Sequence, residues 1–135
     1  MVFQKEITLK PFKRGFHLIT NFITPELVDM TGIVHLFIKH TSASLTINEN
    51  ADPSVRYDFE THFNKLVSED DKHYTHTFEG KDDMTSHIKS SILGSFVSFP
   101  IKNGEPQLGT WQGIYLCEHR NYASGRKIYI TCIGK

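Results

Sequence analysis

IVHLFIKHTSASLTINENADP, residues 33–53, is the stretch on which the fold turns. Ile33 to Ile38 is β-branched and aromatic, the composition of a strand, and His40, Thr41 and Ser42 then break it with a polar triplet that predicts a bend or a hairpin. Beyond the break, Ala43, Leu45 and Ile47 alternate with Ser44, Thr46 and Asn48. Successive side chains of a strand point to opposite faces, so one face here is apolar and the other hydrogen-bonding. Asp52 before Pro53 ends the strand and offers a cap and a first-turn proline to a helix, in which Val55, Phe59, Phe63 and Leu66 recur at near-helical spacing.

The same patterns extend outward. Phe3, Ile7 and Leu9 mark a half-buried first strand, and residues 16–20 predict its partner. Thr24 and Pro25 predict a short helix that Gly32 ends. Downstream, the acidic turn 79–83 precedes Met84, Ile88 and Ile92 at helical spacing, with Gly94 closing that helix. Val97, Phe99 and Ile101 alternate, Asn103 and Gly104 supply a primed hairpin turn, and strands follow at about 107–119 and 126–133. The expectation is one α+β, β-rich domain over residues 1–135: a mixed or antiparallel β-sandwich-like fold, or partly closed barrel, with two or three helices.

Composition narrows the function. At 135 residues and 15.5 kDa, with 39% hydrophobic residues, the chain suits one core. Fifteen basic against fifteen acidic residues leave a net charge of +0, which gives no field for nucleic acid or a membrane surface. Apolar runs are too short to span a bilayer, and MVFQKEITLK carries no signal-peptide stretch, so the expectation is a cytoplasmic protein. Cys117 and Cys132 lack CxxC spacing and read as free thiols. The eight histidines form no HExxH or HxH motif, so a metal site would have to be assembled in three dimensions.

Three polar clusters remain. In HTSASLTINENADP, residues 40–53, Ser42, Ser44, Thr46 and Asn48 repeat on one side of a strand, forming either a floor for phosphate or hydroxyl groups or a plain solvated face. In EGKDDMTSHIKSS, residues 79–91, Asp83 and His87 are neighbours at i and i+4. A carboxylate beside an imidazole fixes its tautomer for acid–base work or metal ligation, whereas acids at a helix start also simply suit the dipole. GTWQGIYLCEHR, residues 109–120, puts Gln112, Glu118 and Arg120 on one face and Trp111, Cys117 and His119 on the other. Its end offers acid, base and cation, or else an exposed ion pair; Cys117 reads as a small buried hydrophobe.

Together HTSASLTINENADP, DDM followed by HIKSS, and LGTWQGIYLCEHR resemble, in order and spacing, the YjbQ (UPF0047) family of small bacterial and archaeal proteins, nearly end to end. The family pattern matches at His40, Ser42, Ser44, Asn48, Asp52, His76, Glu79, Asp82, Asp83, His87, Gln112, Glu118, His119 and Arg120, and departs at Ser54, Thr85, Phe96 and Phe99. The resemblance implies a sandwich-like homotrimer with a polar pocket near the subunit contacts. It also implies weak or accessory thiamine-phosphate synthase activity, a transferase reaction joining a pyrimidine diphosphate to a thiazole phosphate.

On these grounds His87, Glu118, His119 and Asp83 are the candidate catalytic residues, and Ser42, Ser44, Asn48, Gln112, Arg120 and Lys89 the candidate contacts to a phosphorylated small molecule. Asp52, Glu79, Asp82 and Asp83 would hold Mg²⁺; His40, His87 and His119 would instead suit Zn²⁺ or Mn²⁺. Two other classes stand beside the transferase: a non-catalytic metabolite or metal-binding module, and a metal-dependent hydrolase.

Overall fold

The computed structural model describes residues 1–135. In chain order the elements are β1 (Val2–Thr8), β2 (Gly15–Leu18), α1 (Thr20–Ile23) running into a 3₁₀ turn (Thr24–Glu26), β3 (Gly32–Ile38), β4 (Ala43–Glu49), α2 (Pro53–Leu66), α3 (Lys81–Leu93), β5 (Phe96–Lys102), β6 (Glu105–Pro106), β7 (Gln112–Glu118) and β8 (Lys127–Gly134). The strands form two antiparallel sheets, of order β1-β8-β3-β5-β6 and β2-β7-β4.

Between the sheets lies the main core, where Val34, Leu36 and Ile38 of β3 and Ile128 and Ile130 of β8 meet Leu45 of β4 and Ile114 and Leu116 of β7. The three-stranded sheet is also covered on its other side. Phe16, Tyr115 and Cys117 pack there against Phe59 and Phe63 of α2 and Leu93 of α3. With both faces buried, β7 runs Gly113 to Glu118 without an exposed residue. The architecture is three layers: sheet, sheet and helices.

Several local expectations are corrected. Residues 15–18 pair with β7, not with β1, whose partner is β8 from the far end of the chain. The polar break at His40–Ser42 is neither a hairpin nor a bend within one sheet. It carries the chain from the large sheet to the small one, so that β3 and β4 bury apolar faces against each other. Thr24 opens no α-helix; its hydroxyl donates to Thr20 O at 2.8 Å, closing the turn that α1 begins. Gly32 starts β3, where a Cβ would lie 2.0 Å from the Ile133 carbonyl oxygen, so the requirement is close approach to β8. Asp52 does cap α2, accepting from Ser54 N at 2.9 Å, and Asn103 (φ 49°) and Gly104 (φ 80°) make the β5–β6 turn. β7 begins only at Gln112, because Gly109 and Gln112 close a loop on each other through Gln112 N to Gly109 O at 3.0 Å.

Candidate functional site

The first turn of α3 is the structural centre of the polar residues. Gly80 (φ 103°) leads the chain in, and Asp82 and Asp83 are buried as the turn begins. Asp83 Oδ2 lies 2.6 Å from His76 Nε2 and 3.1 Å from His87 Nε2, while its Oδ1 accepts from Arg120 Nη1. Asp82 Oδ2 accepts from Arg120 Nε and from Asn121 N, each at 2.9 Å. A third arm of the guanidinium, Nη2, donates to Glu79 O at 3.1 Å. Burial alone would raise both carboxyls; for Asp82 the Asn121 amide and Arg120, and for Asp83 the His76 bond with the His87 and Arg120 charges, outweigh it and hold each below the usual carboxylate range.

His87 is held at both ring nitrogens. Its Nδ1 lies 2.9 Å from the carbonyl oxygen of Thr41, which can only accept, so Nδ1 carries a proton. In the neutral ring, Nε2 then presents a lone pair toward the Asp83 oxygen. Two acceptors facing each other repel, and either a second proton on the ring or a cation between them resolves the conflict. His76 Nε2, His87 Nε2 and the Asp83 carboxylate lie within 4.8 Å of one another, and no other group of three His, Cys, Asp or Glu side chains in the chain is so placed. Two imidazoles and one carboxylate are a donor set that suits Zn²⁺ or Mn²⁺ better than Mg²⁺. Fixing one imidazole through its far nitrogen is the usual support for such a ligand. Small shifts of the Asp83 carboxylate away from the two rings would make room for an ion, since ligand atoms about 2.1 Å from tetrahedral zinc stand about 3.4 Å apart.

The remaining candidate residues fall into three groups. Arg120 and His40 border the cluster, but both are engaged. Arg120 is spent on the two aspartates and the Glu79 carbonyl, and His40 Nε2 accepts from Lys127 N at 2.8 Å. Burial and the nearby Arg126 charge lower the His40 pKa.

A second group lies inside the protein. His119 Nε2 meets Ser44 Oγ at 2.8 Å beneath the helices, and burial together with the Lys89, Arg14 and Arg126 charges pushes its pKa down to about 3. Lys89 is buried on α3 and donates to Asn64 Oδ1 at 2.6 Å; burial and the Arg14 charge lower its pKa. Glu118 forms a buried two-pronged pair with Arg126, at 2.7 and 2.5 Å, and also accepts from Arg120 N at 3.1 Å. Arg126 and His119 N both donate to Ser42 O, at 3.2 and 3.3 Å, so this pair ties the β3–β4 crossover to the strand that carries Arg120. Burial pushes the Cys117 thiol up to about 12.

A third group lies elsewhere. Asn48 and Gln112 sit at the opposite end of the small sheet, where β4 pairs with the start of β7, about 13 Å along the strand from Ser44. There Asn48 Oδ1 accepts from Glu49 N, and Gln112 Oε1 accepts from Gly109 N, each at 2.8 Å. Asp52 is occupied at the α2 cap and Glu79 contributes its backbone, so Asp52, Glu79, Asp82 and Asp83 form no shared carboxylate site. Nor do His40, His87 and His119 converge on one point, since His119 lies behind Ser44 and His40 turns its Nε2 to the backbone. The member that residue spacing left out of the candidate set is His76. It stands seven residues before Asp83 in a loop without periodicity, and only the family pattern touches it.

Two cavities flank the cluster. One, of about 620 Å³, is bordered by His76, Tyr74, Lys81, Met84 and the acidic residues Glu69 to Asp71. The other, of about 540 Å³, is bordered by His87 and His40.

Comparison with known proteins agrees with the fold. The family model described as "UPF0047 protein YjbQ-like" matches residues 5–135. The UPF0047 protein YjbQ of Salmonella typhimurium is 53% identical and that of Escherichia coli O157:H7 50% identical, each over the whole of both chains. Among solved structures, a YjbQ/UPF0047 family protein of Clostridium acetobutylicum superposes with a TM-score of 0.83 at 36% identity, over 96% of this chain and 99% of its own. A conserved hypothetical protein of Thermus thermophilus superposes with a TM-score of 0.87 at 28% identity, over 96% and 99%. With a family model covering nearly all of it and relatives at half identity end to end, the chain belongs to the UPF0047, YjbQ-like family.

Proposed function

We propose that the protein is a metal-dependent enzyme acting on a phosphorylated small molecule, with Zn²⁺ or Mn²⁺ held by His76, His87 and Asp83 and hydrolysis as the reaction the geometry favours. The observation that carries this is the meeting of His76 Nε2, His87 Nε2 and Asp83 Oδ2, with the far nitrogen of His87 fixed on Thr41 O. Three protein ligands leave a position open for substrate or water, as catalytic sites require. A metal there supplies Lewis acidity, polarising a phosphoryl oxygen and acidifying water. Thr41 O fixes the His87 ring from its far nitrogen, and Arg120 fixes Asp83 through its other oxygen.

The transferase reading needs free cations for a departing diphosphate. Arg120 is committed to Asp82, Asp83 and the Glu79 carbonyl and Lys89 is buried toward Asn64, so the cations of the larger cavity are Lys72 and Lys81, the latter 3.6 Å from Asp70. That cavity, with two lysines beside Tyr74 and Met84, is what favours thiamine-phosphate formation as a second reading. The outer face of the five-stranded sheet exposes Ile33, Phe37, Phe96 and Ile133, and a homotrimer would cover such a patch. No helix is long and apolar enough to cross a membrane, and a cytoplasmic location belongs to the same proposal.

Protein purified without chelator should carry about one zinc or manganese per chain, and His76→Ala and His87→Ala should lose it. Turnover is assayed on phosphate monoesters and, separately, on the pyrimidine diphosphate with the thiazole phosphate. Metal content unchanged in both variants sinks the site; product from the second assay alone, lost in both variants, selects the transferase.

A further inference from the structure

The cavity on the His87 side has a lining unlike the other. Its side chains are those of His40, Thr41, His87, Ser90, Ser91 and Ser95, with Gly94 completing the wall, so no apolar and no formally charged side chain borders it. An aromatic ring would want apolar walls to stack on, and none are present. A phosphate would want a cation, and none is present; moreover, the cavity sits on the last turn of α3, the negative pole of the helix. What the walls do offer is hydrogen bonding.

Two details show that the bonding capacity is available. Ser90 Oγ is buried without a hydrogen-bond partner, the single such side-chain nitrogen or oxygen in the chain. Buried hydroxyls are otherwise satisfied almost everywhere in folded proteins, and this one belongs to a residue that lines the cavity. His40 accepts a backbone N–H at Nε2, which places its ring proton on Nδ1 as a donor with no partner inside the chain. Donor and acceptor hydroxyls beside a neutral imidazole N–H, with no charge, are complementary to alcohol groups.

We infer that this cavity is the subsite for an uncharged polyhydroxyl portion of the substrate, so that the phosphorylated molecule proposed above is of the sugar-phosphate class. The inference rests on that reading for the phosphate end, while the polyol end stands on the cavity alone. His87 borders both and sets their relative position.

The test uses zinc-loaded protein with ribose 5-phosphate and inorganic phosphate in titration calorimetry, and metal-free protein with ribose in heteronuclear NMR. Ribose 5-phosphate should bind about tenfold more tightly than phosphate, the yield of one to two well-made hydrogen bonds. Ser90→Ala and Ser95→Leu should return it to the phosphate level. The first deletes the orphan hydroxyl, which bonds nothing in the protein, and the second places an exposed side chain across the cavity, so neither threatens folding. Ribose should move the His40 ring and Thr41 amide resonances with or without metal. Equal affinity for the two phosphorylated probes in the parent protein, or binding unaffected in both variants, overturns the subsite. Zinc content, measured on the same samples, fails only if the metal reading fails, and ribose-induced shifts in a protein that binds no zinc would keep the subsite while removing the metal.

Discussion

Asp83→Asn probes the cluster most directly, because it removes a charge and leaves the shape. In the metal-free protein the carboxylate accepts from Arg120 and stands within hydrogen-bond distance of the His76 and His87 Nε2 atoms. Hydrogen bonds to a charged group contribute about 1.5–3 kcal/mol each, but Asn keeps an oxygen for Arg120, so the expected net loss is about 2–3 kcal/mol. For a chain of this size each kcal/mol moves the midpoint by about 3–5 °C, which predicts a fall of about 6–15 °C. The second half of the measurement is the metal increment. Zinc at a hundred times its dissociation constant should stabilise the parent by about 2.7 kcal/mol, or about 8–13 °C, and should do nothing for the variant, since a neutral amide is a poor replacement ligand. The pH dependence has a definite sign. The Asp83 pKa lies below its ordinary 3.8, so its contribution is complete above that value and is lost as pH falls through the depressed one. Parent and variant therefore converge in stability at strongly acid pH. Melting followed by far-ultraviolet circular dichroism, with chelator and with zinc, measures all three quantities. An equal zinc-induced rise in both proteins would refute the ligand role of Asp83.

Other consequences follow from the buried groups. His119 titrates near 3 in the folded protein against an ordinary 6.5, so its share of stability is intact above pH 6.5 and drains away toward pH 3, by roughly 3–5 kcal/mol in total; urea unfolding across that range should show a shallower slope for His119→Gln, and an unchanged slope would remove His119 as the cause. Glu118→Gln leaves Arg126 buried beside a neutral amide and should cost about 3–5 kcal/mol while metal stoichiometry stays that of the parent; lost metal with little lost stability would show that Glu118 belongs to the site. Cys117 and Cys132 are both buried, and burial raises both thiol pKa values, so a thiol reagent should modify neither in the native protein and both after denaturation.

The sequence carried the local grammar well, because that grammar is written in neighbouring residues. The Asp52–Pro53 cap, the Asn103–Gly104 turn and the Asp83–His87 pair each depend on residues within four positions of each other, and each formed. What could not be read was which strands share a sheet. β1 pairs with β8 across the length of the chain, and the triplet at His40–Ser42 looks the same whether it turns within a sheet or steps between two. The same limit applies to the side chains. Ser44 and Asn48 alternate identically on paper, but Ser44 lies under the helices bonded to His119, while Asn48 is exposed at the other end of β4. Only the positions of α2 and α3 over part of that strand distinguish them.

The placement of chemistry on α3 has a physical basis in the layers. A central strand covered on both faces can carry polar groups only if each is satisfied internally, which is what β7 does with Glu118 on Arg126, and His119 just beyond it does on Ser44. Groups so engaged are neutralised or locked, as the depressed pKa of His119 shows, and they position rather than react. Ligand atoms with uncommitted lone pairs must therefore come from elements with one open side. The first turn of α3 and the loop bearing His76 are such elements, and Arg120, leaving the end of β7, is the strut between the satisfied interior and that open edge. Its backbone is held by Glu118 and its guanidinium holds Asp83, so the rigidity of the core reaches the cluster through one residue. Arg120→Lys, which keeps the charge and loses the fork, should thus loosen metal binding about tenfold or more with a smaller effect on folding, since orienting partners of this kind govern ligand geometry. Isotherms with zinc set beside urea unfolding give the two numbers, and a loss of stability without a loss of affinity would assign Arg120 to the fold alone.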